Sequence, residues 1–174
     1  MSNSQKTCTF TCGTVTVELG DDAVGNVVDY LPEAMDLEGF FQELAQSLSV
    51  IVRRAIACRN ELTEMTVDFL AEGDDIEVLT NLLGTSAGMR YLSDERLKRM
   101  ISTSDELAIK ISEEAANFES ANFSEICETL SLHTNPDVRL SVINIMDVPE
   151  RILRMLSEDV DLNVAEQART ALEG

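Results

Sequence analysis

From residue 36 onward the apolar positions of this chain recur in one register. A Leu or Met followed by a small residue or Ile stands at Leu44-Ala45, Leu70-Ala71, Met100-Ile101, Leu130-Ser131 and Leu156-Ser157. Three positions before each anchor come Phe41, Val67, Leu97, Cys127 and Leu153. Eight positions after come Val52, Val78, Ala108, Val138 and Val164, and twelve after come Ile56, Leu82, Ser112, Val142 and Ala168. The positions at −3 and 0 form one helix face, and those at +8 and +12 form another. Ser112 is the single polar residue at these positions. The register predicts pairs of antiparallel helices stacked side by side, because one pair cannot bury its apolar face alone.

The punctuation between apolar runs supports helix starts. Asn60 precedes a helical run, and Ser93 precedes another. Asn122 is followed three residues later by Glu125, and Asp147 by Glu150. Asn135-Pro136 reads as a cap followed by proline at the first helical position. Residues 84–91, with two glycines, read as a longer loop and the clearest break in the helical part. Upstream the period changes. Residues 6–19 alternate apolar and polar, with Cys8, Phe10 and Cys12, then Val15, Val17 and Leu19. The phase slips by one at Gly13-Thr14, which predicts a tight hairpin or a bulged strand. Such a two-stranded ribbon is marginal alone and is expected to pack on the helical body. Residues 20–35 read as a short helix that Pro32 ends.

The expected fold is therefore mostly α: a right-handed α-solenoid of degenerate helical-hairpin repeats with a short N-terminal β ribbon. Residues 1–35 form the ribbon and short helix, and residues 36–174 form the repeats, in one compact domain.

The segment Asn135-Pro-Asp-Val-Arg-Leu-Ser-Val, followed by Val148-Pro-Glu-Arg-Ile-Leu, resembles HEAT-like α-solenoids, in particular the leucine-rich repeat variant type. The likeness is good over 130–157 and fair over 44–70, where Val52-Arg53-Arg54-Ala55 stands in for Val138-Arg139. It is poor over 70–130, where Leu79 and Ile109 replace the arginine. The resemblance implies the helical-repeat fold. Some members of that type hold an iron–sulfur cluster on N-terminal cysteines, but only Cys8 and Cys12 are at hand here. HEAT-like DNA glycosylases present a basic, aromatic concave face, which a chain without Trp and of this charge does not offer.

Charge changes the functional picture most. The chain has 174 residues, with 32 acids against 13 bases, a formal net charge of −19. The excess is spread along the chain: residues 61–90 hold 7 acids and 1 base, and residues 91–130 hold 9 and 4. Such a field repels nucleic acid and anionic membrane and attracts basic partners. Direct nucleic-acid binding, which needs lysines and arginines on phosphates, is disfavoured. No apolar stretch is long enough to span a bilayer, and residues 1–10 lack the apolar run of a signal peptide. A reduced, cytoplasmic protein is expected.

Candidate chemistry is sparse. Cys58 and Cys127 sit in helical patterns as small buried hydrophobes. Cys8 and Cys12 fall on one face of a strand, and no further soft ligand is near in sequence, so no metal or cofactor is expected. His133 is the only histidine, placed at a helix C-terminus with a structural or surface role expected over a catalytic one, and no nucleophile motif surrounds any Ser or Cys. Arg53 and Arg139 share the +9 position, and with Arg54, Arg151 and Arg154 they are expected to pair with acids between repeats. The densest acidic run holds Asp68, Glu72, Asp74, Asp75 and Glu77, and Asp105, Glu106, Glu113 and Glu114 extend it onto the next repeat. The spacing lacks a calcium-loop register. These carboxylates are the expected partner-binding residues of a non-enzymatic protein that docks on a basic protein; one specific form is an inhibitor, in the phage anti-defence or immunity manner, that imitates nucleic acid and occupies the site of a nucleic-acid-binding protein. The alternative is a metal- or redox-linked protein that uses Cys8 and Cys12. The charge opposes self-association, whereas an edge of the ribbon offers a pairing site.

Overall fold

The computed structural model describes residues 8–12, 15–20, 23, 24, 27, 37–119 and 122–173. Most of the expected 20–35 helix, and the boundary expected at residue 35, lie outside them. Cys8–Cys12 (β1) and Val15–Leu19 (β2) pair antiparallel, with Cys12 opposite Val15 and Cys8 opposite Leu19.

The remaining described residues are mostly helical. In chain order the helices are α1 (Glu38–Ala45), α2 (Val50–Ala57), α3 (Glu64–Ala71), α4 (Ile76–Leu83), α5 (Ser86–Tyr91), α6 (Asp94–Thr103), α7 (Asp105–Glu114), α8 (Phe123–Ser131), α9 (Pro136–Ile143), α10 (Glu150–Leu156) and α11 (Leu162–Glu173). A 3₁₀ turn, Ala115–Asn117, follows α7. No described helix is long and apolar enough to cross a membrane.

The chain divides into two compact units, Met1–Gly88 and Met89–Gly174. In the first, α1 packs on α2 and α3, α2 packs on α4, and α3 packs on α4. In the second, α6 packs on α7 and α8, while α8 packs on α9 and α10. There α7 also packs on α9, and α11 packs on both α9 and α10. Within each unit, then, first helices of successive pairs meet one another, and so do second helices.

The apolar register explains these contacts. Every +8 residue (Val52, Val78, Ala108, Val138, Val164) is buried, and so is every +12 residue (Ile56, Leu82, Ser112, Val142, Ala168). At the anchors and the −3 positions, Leu44 and Leu153 alone are half-buried. Each fully buried Leu or Val contributes about 1.5–3 kcal/mol. Ser112 is tolerated in this set because its hydroxyl donates to the Ile109 carbonyl at 2.7 Å, which gives its own oxygen a partner.

Four local expectations need correction. Residues 84–91 are not simply a loop, because Ser86–Tyr91 forms α5. Thr85 Oγ1 accepts the Gly88 amide at 3.0 Å in the manner of an N-cap, and Asn60 Oδ1 accepts the Ser86 amide at 3.0 Å. Gly88 is required for close approach, since a Cβ there would lie 1.9 Å from the Leu82 carbonyl oxygen. Asn60 therefore serves the start of α5, while α3 begins after Thr63. Asp147 does not cap α10, which follows Pro149; it adopts a left-handed φ of 59° that Asp accommodates better than most residues. Cys58 is exposed at the C-cap of α2, where the helix has ended, whereas Cys127 is fully buried in α8.

The other caps agree with the pattern. Ser93 accepts from the Arg96 amide at 3.4 Å, Asn122 from Glu125 at 3.3 Å, and Asn135 from Asp137 at 2.9 Å with Pro136 at the helix start.

Candidate functional site

Two of the acidic residues singled out by the sequence, Asp75 and Asp105, stand at helix starts, for a local reason. Five positions after each anchor stands Ser49, Asp75, Asp105, Asn135 or Asp161. These are residues that cap or open the second helix of a pair. Asp75 accepts the Val78 amide at 3.0 Å, and Asp161 accepts the Asn163 and Val164 amides at 3.0 and 3.2 Å. That recurrence is visible in the chain itself.

In the first unit, Asp68 lies half-buried on α3, Glu72 and Asp74 are exposed in the α3–α4 loop, and Asp75 and Glu77 open α4. Arg54 crosses from α2 to meet the last two. Its Nε donates to Asp75 Oδ1 at 3.0 Å and its Nη2 to Oδ2 at 2.8 Å, while Nη1 pairs with Glu77. The bidentate bond from Arg54, joined by the Val78 amide, outweighs burial and holds the Asp75 carboxyl below its usual range. Asp75 is thus committed to the fold, while Glu77, with its side chain 59% exposed, still faces solvent.

In the second unit, Asp105 and Glu106 are exposed at the start of α7. Asp105 Oδ2 accepts from Asn135 Nδ2 at 2.6 Å, and its Oδ1 lies 3.7 Å from His133 Nε2. One turn from the end of α7, Lys110 is shared between Glu113 at 3.3 Å and Glu114 at 3.1 Å. Burial opposes ionisation of Glu114, yet bonds from Asn117 and Lys110 prevail and leave its carboxyl below the usual range. Two carboxylates around one ammonium leave a net negative charge there.

The arginines behave largely as the sequence suggests. Arg53 Nη1 donates to the Ser47 carbonyl at 2.6 Å, and Arg139 Nη1 to the His133 carbonyl at 2.8 Å. The shared +9 residue thus ties down the preceding loop in both units. Arg139 also reaches the next pair, donating to Asp159 through Nε at 2.7 Å and Nη2 at 2.8 Å. Their side chains are 11% and 8% exposed. In the first unit the corresponding inter-pair bond belongs to Arg54, one position later. Arg151 Nη2 donates to Ser124 and Glu128, both at 2.9 Å, and Arg154 pairs with Glu150 on its own helix.

His133 has a structural setting. Its Nδ1 accepts the Asn135 amide at 3.1 Å, which orders the α8–α9 turn. Burial pushes the Cys127 thiol up to about 11, well away from a reactive thiolate at neutral pH. Among the described residues no group of three or more His, Cys, Asp or Glu side chains is arranged to hold a metal ion.

Two grooves open on the second unit. One, of about 550 Å³, is lined by Lys98, Glu125, Glu128 and Arg151, which pair among themselves, with Leu132 at its edge. The other, of about 600 Å³, lies between α7 and α9 at the Ser112 position. The sequence signal for the second was Ser112 itself, the polar break in the register.

In comparisons with protein families, curated proteins and solved structures, nothing matches this chain.

Proposed function

We propose that this chain is a non-enzymatic acidic α-solenoid that docks on a basic surface of a partner protein. The observation that supports this reading is how the cations are used. Arg54, Lys98, Lys110, Arg139, Arg151 and Arg154 are engaged by carboxylates of the molecule itself. With 32 acids against 13 bases, carboxylates are left in surplus, and Glu72, Asp74, Glu77, Asp105, Glu106 and Glu113 among them are exposed. Their field captures basic partners quickly and in a salt-sensitive way.

The proposed contact residues are Asp68, Glu72, Asp74, Asp75, Glu77, Asp105, Glu106, Glu113 and Glu114. Glu72, Asp74, Glu77, Asp105, Glu106 and Glu113 are the exposed members of that set. In this reading the stacked pairs form a right-handed solenoid of the HEAT-like kind, with the N-terminal ribbon packed on the helical body. The narrower form of the proposal is an inhibitor whose carboxylates imitate the phosphates of nucleic acid. Competition tests it: a DNA- or RNA-binding partner held by this protein is expected to lose its nucleic acid. Simultaneous binding of both ligands would remove mimicry and leave protein docking.

A further inference from the structure

The groove at Ser112 is where the apolar register fails, and the failure has a consequence for binding. At +12 the other pairs carry Ile56, Leu82, Val142 and Ala168, each buried against its neighbours. Here the small Ser112 turns its hydroxyl back onto the Ile109 carbonyl. Ser112 lines a groove of about 600 Å³ together with Ile109, Glu113, Asn117, Ile145 and Met146. Ile145 is 8% exposed, whereas Met146 stands 75% exposed. A thioether side chain left in water beside such a groove is adaptable and poorly used by the fold. The rim is negative, because Lys110 is divided between Glu113 and Glu114 and Asp147 follows Met146 into solvent.

We infer that the α7–α9 groove receives an apolar side chain from a basic, amphipathic helical segment of the partner. The apolar anchor covers Ile145 and Met146 above Ser112, and flanking Lys or Arg residues meet Glu113 and Asp147. Charge complementarity selects this occupant: an apolar segment flanked by acids would be repelled by the same rim and by the net charge of −19. The recognition is helix-in-groove with electrostatic capture. The inference rests on the proposed docking function and deepens it by separating an apolar anchor from the charge.

The test uses two labelled peptides of equal positive charge, one with Lys and Leu at amphipathic helical spacing and one with Ser in place of each Leu. Binding is measured by fluorescence anisotropy on the full chain and on two variants. Ser112→Leu fills the groove with the kind of residue found elsewhere in the register, and its folding is checked by thermal melting. Met146→Ser removes the exposed apolar contact with little demand on the fold, and decides the matter if Ser112→Leu does not fold. The Lys/Leu peptide is expected to bind more tightly than the Lys/Ser peptide, and to lose about tenfold or more in each folded variant. The Lys/Ser peptide is expected to bind weakly, to respond to salt, and to ignore both variants. Equal binding of the two peptides, or a folded variant that holds the Lys/Leu peptide as tightly as the unchanged chain, overturns the groove but leaves electrostatic docking standing. Binding of neither peptide at low salt overturns both.

Discussion

Arg139 shows how one side chain joins successive helical pairs. It fastens its own α8–α9 turn through the His133 carbonyl and reaches Asp159 beyond α10 with two parallel bonds. Both partners are nearly excluded from solvent. Removing one leaves the other charge buried without its counterion, so Arg139→Ala is expected to cost about 3 kcal/mol in denaturant unfolding. Breaking the Arg154–Glu150 pair by Glu150→Gln should cost under about 1 kcal/mol, because those side chains are 70% and 68% exposed. The same bond gives a pH signature. The Arg139 bond holds the Asp159 carboxyl below the ordinary 3.8. Its contribution is therefore full above that value and is lost as pH falls through the lower folded-state value. Asp159→Asn should flatten the stability profile in that acid window while lowering stability at neutral pH. Gly88 makes a second test. Gly88→Ala drives a methyl into the Leu82 carbonyl, a backbone atom that cannot swing aside. A loss of about 1–3 kcal/mol is expected in the same assay.

At the scale of elements, the second helix of each pair was the most legible part of the chain. Val138 and Val142, like their counterparts in every other pair, fall inside a helix and are buried, because a period of four on an apolar face leaves few alternatives. Leu130 belongs to the same core at 0% exposure. Leu130→Asp is expected to melt much of the second unit, and an unchanged melting curve would contradict the register. What was not legible depended on contacts distant in sequence. Asn60 resembles a cap for the run that follows it, yet its side chain bonds Ser86, twenty-six residues later. Gly84 and Gly88 read as loop residues, but Gly88 is a packing requirement inside α5. Cys58 has apolar neighbours in sequence, but α2 ends just before it and leaves it outside. The candidate site was legible in part. Its acidic residues were visible, whereas the commitment of Asp75 to Arg54 depends on a contact between α2 and the start of α4. The groove at Ser112 was marked by a single residue whose meaning needed the packing around it.

At the scale of the whole molecule, charge is the property that fold alone does not explain. A surplus of this size works against compactness by self-repulsion, so salt is expected to raise the melting temperature. For a chain of this length each kcal/mol recovered moves it by about 2–4 °C, which calorimetry reads directly. A cost of that kind is understandable if the carboxylates serve an encounter with a basic partner. The measurement that tests this most directly is capture on the immobilised chain, from cell lysate, at low and at high salt, with mass spectrometry of what is retained. The proteins held at low salt are expected to be basic, with nucleic-acid-binding proteins prominent among them, and raising the salt is expected to release them. Capture that ignores salt, or a retained partner that is itself acidic, would contradict docking on a basic partner.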